Sequence, residues 1–435
     1  MLTTLLVLPF AAALATWPVR RVRQIAAPLA ALTYVLIAAL APFAARQEPI
    51  ALLGRSLAMA PDNAIYASTL AIALALLMAG GGFVQESGLV WPSSLATFGL
   101  LLAAMCSSSA QLAGAFLSLA VLGIAFCLVA PDTAQLAMRT VIVLLCGTLL
   151  LLLAGWAFEA SRLEDALTMP SLGRPATLFG LAVLLGVFPF GLWALPLGRV
   201  ERPTAAFLAV CGIGLIASLR LPELGSVAGT ELLAASVRWS GIATLFYGAI
   251  GALLSKRMSE AVSYAAAADL GVAVLALGSG APTGGSLAAR HLAYRAVACA
   301  VLWVAARVLG RCFGSDDVRS LGGAFRRAPL TFLAIMLAAL SLAGLPPTAG
   351  FGSRTVILSM VHTKPSWAIG WALGAIGPAW ALMRLVIASW GPTPPPGSRR
   401  EPTWLAVLLL LHSLGLLVIG LVPNLGAWLY GLFAG

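Results

Sequence analysis

Ser341-Leu342-Ala343-Gly344-Leu345-Pro346-Pro347-Thr348-Ala349-Gly350-Phe351-Gly352-Ser353-Arg354 interrupts an apolar run that begins near residue 328. Proline removes a backbone donor, and its ring clashes with the preceding turn. The double proline therefore breaks a helix, and glycines and a cation follow the break. Earlier in the chain, Gly186-Val187-Phe188-Pro189-Phe190-Gly191-Leu192-Trp193 does the same within another apolar run. Where a span breaks in hydrocarbon, the freed carbonyls must find partners in protein or water.

The rest of the chain says what medium these breaks sit in. Of 435 residues, 61% are hydrophobic and only 9% are charged; mean hydropathy is +0.99. Ordinary soluble domains carry about 25% charged residues, so a water-soluble globule is excluded. A helix crosses a bilayer with about 20 apolar residues. Runs of that kind fall at 2–18, 25–44, 62–83, 90–109, 111–130, 134–156, 177–197, 203–221, 234–255, 260–278, 288–309, 328–349, 367–390 and 403–422. The expectation is an all-α membrane protein of about 14 transmembrane helices.

Charge placement orients it. The net charge of +11 would suggest nucleic acid in a soluble protein, but here the arginines sit between apolar runs, where membrane orientation explains them. Arg20, Arg21 and Arg23, then Arg199 and Arg202, Lys256 and Arg257, Arg311 to Arg327, and Arg399 with Arg400 occupy alternate loops. The intervening loops are richer in carboxylate relative to arginine, among them Glu159, Glu164, Asp165 and Glu223. The basic set is expected on the cytoplasmic side, with both termini outside. The first run, Leu2 to Trp17, lacks the basic flank of a cleaved signal and reads as a retained helix.

Six scattered cysteines form no C-x-x-C pair or Cys/His cluster, so no metal or redox cofactor is expected. The sequence has no Walker A motif and no dinucleotide-binding glycine pattern. The driving force must then come from a partner or an ion gradient. Two other stretches place ionisable groups inside spans. Ser263-Tyr264-Ala265-Ala266-Ala267-Ala268-Asp269-Leu270-Gly271 carries a carboxylate, and His291-Leu292-Ala293-Tyr294-Arg295 sets His291 and Arg295 four apart on one helix face. A charge at mid-bilayer costs about 2.5–3.5 kcal/mol or more, so Asp269, His291, Arg295 and Arg354 are expected to face one another or water. They serve either as a structural ion pair or as an ion path, with His291 the group suited to change protonation.

In order and spacing, these stretches resemble the antiporter-like membrane subunits of respiratory complex I and its relatives, including membrane-bound hydrogenases and Mrp-type antiporters. Ser341 to Arg354 is similar to that family's S-L-A-G-[IL]-P-P-x-x-G-F-x-x-K signature; Phe188-Pro189-Phe190 with Trp193 is similar to V-P-[FL]-H-x-W-x-P. Arg202-Pro203-Thr204 resembles an A-P-T helix opening, and the stretch from Ser263 to Gly271 resembles A-Y-S-S-x-x-H-x-G-Y. The resemblance implies two inverted five-helix repeats, each with one broken helix, at Pro189 and at Pro346-Pro347. That divides the chain into 1–89 (leading helices), 90–221 (first repeat), 222–390 (second repeat) and 391–435 (last helix).

It also implies a relay of one glutamate and several lysines, from which this chain departs. Leu184 and Ile213 stand at lysine positions, Gly191 and Asp269 at histidine positions, and 111–130 contains no carboxylate. Arg354 is the cationic counterpart of the last lysine. The expectation is a subunit of a complex-I-like or hydrogenase-like redox-driven proton-translocating complex, non-redox itself and degenerate in its first repeat. It would be multi-pass in a bacterial plasma (inner) membrane, with other membrane and peripheral subunits as partners. A gradient-driven ion or inorganic-carbon transporter and a non-conducting scaffold are the alternatives.

Overall fold

The structure is a computed structural model describing residues 1–84, 88–128, 134–163, 169–194, 197, 202–219, 231–281, 283–361, 365–391, 399–422 and 425. Its helices are α1 (Leu2–Val19), α2 (Arg23–Ala44), α3 (Pro61–Val84), α4 (Val90–Cys106), α5 (Ala110–Leu128), α6 (Ala134–Leu163) and α7 (Met169–Leu185). After a 3₁₀ turn at Phe190–Trp193 come α8 (Pro203–Leu219), α9 (Glu231–Leu254), α10 (Met258–Leu277) and α11 (Gly284–Phe313). The series ends with α12 (Pro329–Ala343), α13 (Ala349–Val361), α14 (Pro365–Ser389) and α15 (Thr403–Leu421).

Among the described residues, ten stretches are long and apolar enough to cross a membrane, and four shorter apolar helices stand at the remaining expected spans: Val90–Cys106, Pro203–Leu219, Pro329–Ala343 and Gly374–Ser389. The chain is a multi-pass, all-α membrane protein with two inverted five-helix repeats. The span expected at 328–349 is corrected in one respect. Its α12 is 15 residues long, about 22 Å at 1.5 Å per residue and short of a hydrocarbon core of about 30 Å. The crossing continues past the prolines as α13, 13 residues that run beyond the expected end of the span.

α11 is the axis of the molecule. Of its apolar window 83% is buried, against 22% for α1 at the edge, and it packs on α3, α10, α12, α13, α15 and α8. That is why a helix with polar residues along its length persists here: its His291 and Arg295 face protein, not lipid.

Loops expected to share a side do share an end of the bundle. At one end Arg311 donates to the Phe83 carbonyl, the Arg399 amide to Cys312, and the Val318 amide to Lys256. At the other, Arg55 pairs with Glu159 at 2.7 Å and the Ala58 amide bonds Cys106. Glu164, Asp165, Arg199 and Glu223 lie outside the described residues.

One feature the all-α expectation missed is a small antiparallel hairpin, Ile50–Leu52 with Arg55–Leu57. Leu53 and Gly54 both have positive φ (51° and 72°), the mark of a two-residue primed turn. Leu-Gly is not the Asn-Gly or Asp-Gly pair that announces such turns in sequence.

Candidate functional site

Both helix breaks are built the same way. α7 and α12 each end in a paired-hydrogen-bond cap around a positive-φ glycine, Gly186 (φ 75°) and Gly344 (φ 71°). In the first, the Gly186 and Val187 amides bond the Val183 and Ala182 carbonyls; in the second, those of Gly344 and Leu345 bond Ser341 and Leu340. This is the Schellman arrangement, in which a left-handed residue turns the chain back on the last carbonyls. A second glycine then lets the returning chain touch the first half. A Cβ on Gly191 would lie 1.9 Å from the Gly186 oxygen, and one on Gly350 the same distance from the Ser341 oxygen. Prolines elsewhere, such as Pro9, Pro28 and Pro378, sit inside continuous helices. Proline together with such a glycine, and not proline alone, makes the break.

The two breaks differ in what satisfies the freed carbonyls. At the first, the Trp193 indole Nε1 donates to the Val183 oxygen at 3.1 Å. At the second the donor is charged: Arg354, on α13, reaches back across the break and donates from Nη1 to Ala343 (2.9 Å) and from Nη2 to Leu342 (2.7 Å). The carbonyl end of a helix carries partial negative charge, so a guanidinium there is doubly favoured. Gly344 makes room for it, since a Cβ at that position would lie 2.2 Å from Arg354 Cδ.

The same guanidinium holds Asp269 of α10. Its Nη2 and Nε lie 2.6 and 3.1 Å from Asp269 Oδ1, and both residues are 2% exposed or less. His291 of α11 completes the group. Its Nδ1 is 2.7 Å from Ser353 Oγ, one residue before Arg354, and its Nε2 is 3.1 Å from Asp269 Oδ1. That second contact is close but off the line of an aligned hydrogen bond, leaving Nε2 without a formal partner. Three helices thus bring Asp269, His291, Ser353 and Arg354 together in a buried cluster. Ser353 was quoted in the proline signature but not singled out from it.

Arg295 departs from the expected cluster. Although it shares a face with His291, its Nη1 donates to Ala266 of α10 and its Nη2 to Val210 of α8, both at 3.1 Å. Its Nε is buried without a partner. The physical reason lies in α8, which unwinds into a π-helical segment over Leu208–Ile213. Such a segment replaces the i→i−4 ladder, and the long arginine side chain reaches its Val210 carbonyl. Nothing in the composition of Leu208–Ile213 announces the π segment.

At the positions where the family resemblance implies lysines, Leu184 and Ile213 are buried apolar side chains, 1% and 0% exposed. α5 contains no carboxylate. Leu184 packs where it would meet a Cβ on Gly147 of α6.

Residues 109–377 match the family described as NADH:quinone oxidoreductase/Mrp antiporter, TM. The chain belongs to that family. Subunit 5 of the chloroplast NAD(P)H-quinone oxidoreductase of Nephroselmis olivacea is 32% identical to this antiporter-like chain over 257 residues, 52% of this chain and 38% of that protein. The match therefore spans less than half of that relative's length. In fold, the chain superposes on one from respiratory complex I of Thermus thermophilus with a TM-score of 0.85 at 20% identity, covering 98% of this chain and 97% of that one. A chain of the Mrp complex from Dietzia sp. matches with a TM-score of 0.83 at 16% identity, covering 99% and 96%.

Proposed function

We propose that this chain is a membrane-arm subunit of a redox-driven, proton-translocating complex of the complex I or membrane-bound hydrogenase type, and that its proton-handling step lies in the second repeat. In this reading it is a non-redox subunit of the bacterial plasma membrane, assembled with other membrane and peripheral subunits. The basic ends of its loops face the cytoplasm, and the chain divides as 1–89, 90–221, 222–390 and 391–435.

The observation that carries the reading is His291 held between a hydroxyl and a carboxylate. Ser353 Oγ has one proton to place. It also lies 3.2 and 3.3 Å from the Gly350 and Ala349 carbonyls of its own helix. When the hydroxyl donates to a carbonyl, His291 Nδ1 must be the donor to Oγ. Nε2, facing the Asp269 carboxylate, is then favourable only if it too is protonated, which makes an imidazolium. When the hydroxyl turns toward Nδ1, the neutral ring keeps its proton on Nε2. One hydroxyl rotation is thereby tied to the charge of the ring.

Arg354 stays charged throughout because a guanidinium does not release its proton in this range. It fixes Asp269 as an anion and anchors the break. Arg295 likewise supplies a permanent field between the repeats. The first repeat, with Leu184, Ile213 and a carboxylate-free α5, has no titratable group at the family's relay positions.

Replacing Ser353 by alanine in the assembled complex tests the relay, because it removes the hydroxyl and little volume. Assembly should be unchanged and proton translocation per turnover should fall severalfold. Unchanged translocation would remove the hydroxyl from the mechanism.

A further inference from the structure

At the basic end of the bundle, α2, α3 and α15 enclose a groove of about 460 Å³ that opens sideways. Its walls are apolar, with Ala31, Ala79, Phe83 and Trp404 among them, and Arg23 and Gln24 stand at its mouth. The helix faces beside it are bilayer-facing: Leu32 and Val35 of α2 and Leu411 of α15 are more than half exposed. Trp404, 53% exposed, has the place of an interfacial anchor.

The mouth carries a cation. Arg23 is the first residue of α2, and it forms no ion pair among the described residues. Neither α2 nor α15, whose second residue is Trp404, has a side-chain cap at its N-terminus. Two helix starts therefore present backbone N–H groups and partial positive charge at one opening, an arrangement suited to a phosphate. Arg311 lies over the Phe83 ring at 5.8 Å, and Arg399 is tied through its amide to Cys312 in the last turn of α11. Three of the carboxylates described at this end are engaged elsewhere. Glu401 accepts from the Leu330 and Thr331 amides at the start of α12, Asp316 from Ser259, and Asp317 from the Arg319 amide.

We infer that this groove is a binding site for an anionic phospholipid, with an acyl chain along α2 and α3 and the phosphate between Arg23 and the two helix starts. An apolar slot that ends at Arg23 and two uncapped helix starts matches a ligand with a long chain and an anionic head. A zwitterionic lipid fills the slot equally well but brings its own cation to the mouth.

The experiment uses the full chain in mild detergent, exchanged against vesicles of equal parts phosphatidylglycerol and phosphatidylcholine, with retained lipid read by native mass spectrometry. Phosphatidylglycerol should be retained severalfold over phosphatidylcholine. Arg23→Gln, at an exposed position that leaves the fold intact, should lower that ratio about fivefold, the effect of one surface arginine on anionic lipid. Gly82→Leu fills the slot, since a Cβ there meets only Ala27, at 3.8 Å; retention of both lipids should fall. Equal retention of the two lipids by the native chain would overturn the proposal. So would a ratio unmoved by Arg23→Gln, or retention unmoved by Gly82→Leu.

Discussion

Replacing Asp269 by leucine should expose how much of the second break depends on one buried ion pair. Removing one partner of such a pair strands the other charge, at a cost of about 3–5 kcal/mol; Asp269 and Arg354 are both 2% exposed or less. Arg354→Met should cost more, because it also strands the Leu342 and Ala343 carbonyls, each worth about 1–3 kcal/mol when buried without a donor. The double variant Asp269→Leu/Arg354→Met holds no stranded charge and keeps only the carbonyl deficit of about 2–6 kcal/mol. It should therefore be more stable than Arg354→Met alone. Denaturant titration of the four proteins in mixed micelles, followed by helical circular dichroism, closes the cycle. If the two losses simply add, the ion pair does not hold this break. If the double variant matches the native protein, the carbonyl bonds contribute nothing.

Gly344→Ala should destabilise by several kcal/mol in the same titration, because its Cβ falls 2.2 Å from Arg354 Cδ at a φ of 71°; native stability would refute that account of the break. Leu184→Lys should not raise proton flux in reconstituted vesicles, since the new amine sits in an apolar site without its relay partners; a clear gain would show the first relay intact but for one residue. Single cysteines at 315–325, introduced into a cysteine-free chain, should be labelled only from the cytoplasmic face by an impermeant maleimide. Labelling from the opposite face would reverse the proposed orientation.

The spans were legible because apolar length is a composition signal that the bilayer imposes on every helix. The cluster was legible for a related reason: a charge inside an apolar run needs a partner, which singled out Asp269, His291 and Arg354. Arg295 was drawn into the same group by that cost and by its spacing from His291, and neither can see that α8 offers a carbonyl from a π segment within reach of its side chain. The length of α13 was not legible because prolines and glycines at 344–352 end the apolar run, whereas Ala349 restarts a helix after the turn. The likeness of the two breaks, down to the paired glycines, is written in Gly186-Val187-Phe188-Pro189-Phe190-Gly191 and Gly344-Leu345-Pro346-Pro347-Thr348-Ala349-Gly350. Its meaning depends on seeing which carbonyl each second glycine touches.

The claim that the second repeat handles the proton through His291 is tested most directly by His291→Gln in the assembled complex, measuring protons translocated per turnover beside the amount of complex formed. Glutamine keeps a polar group between Ser353 and Asp269 but cannot change its charge. Positioned acid–base groups contribute about 10²-fold or more, so the account predicts normal assembly with translocation through this subunit reduced at least about tenfold. Normal assembly with undiminished translocation would contradict it.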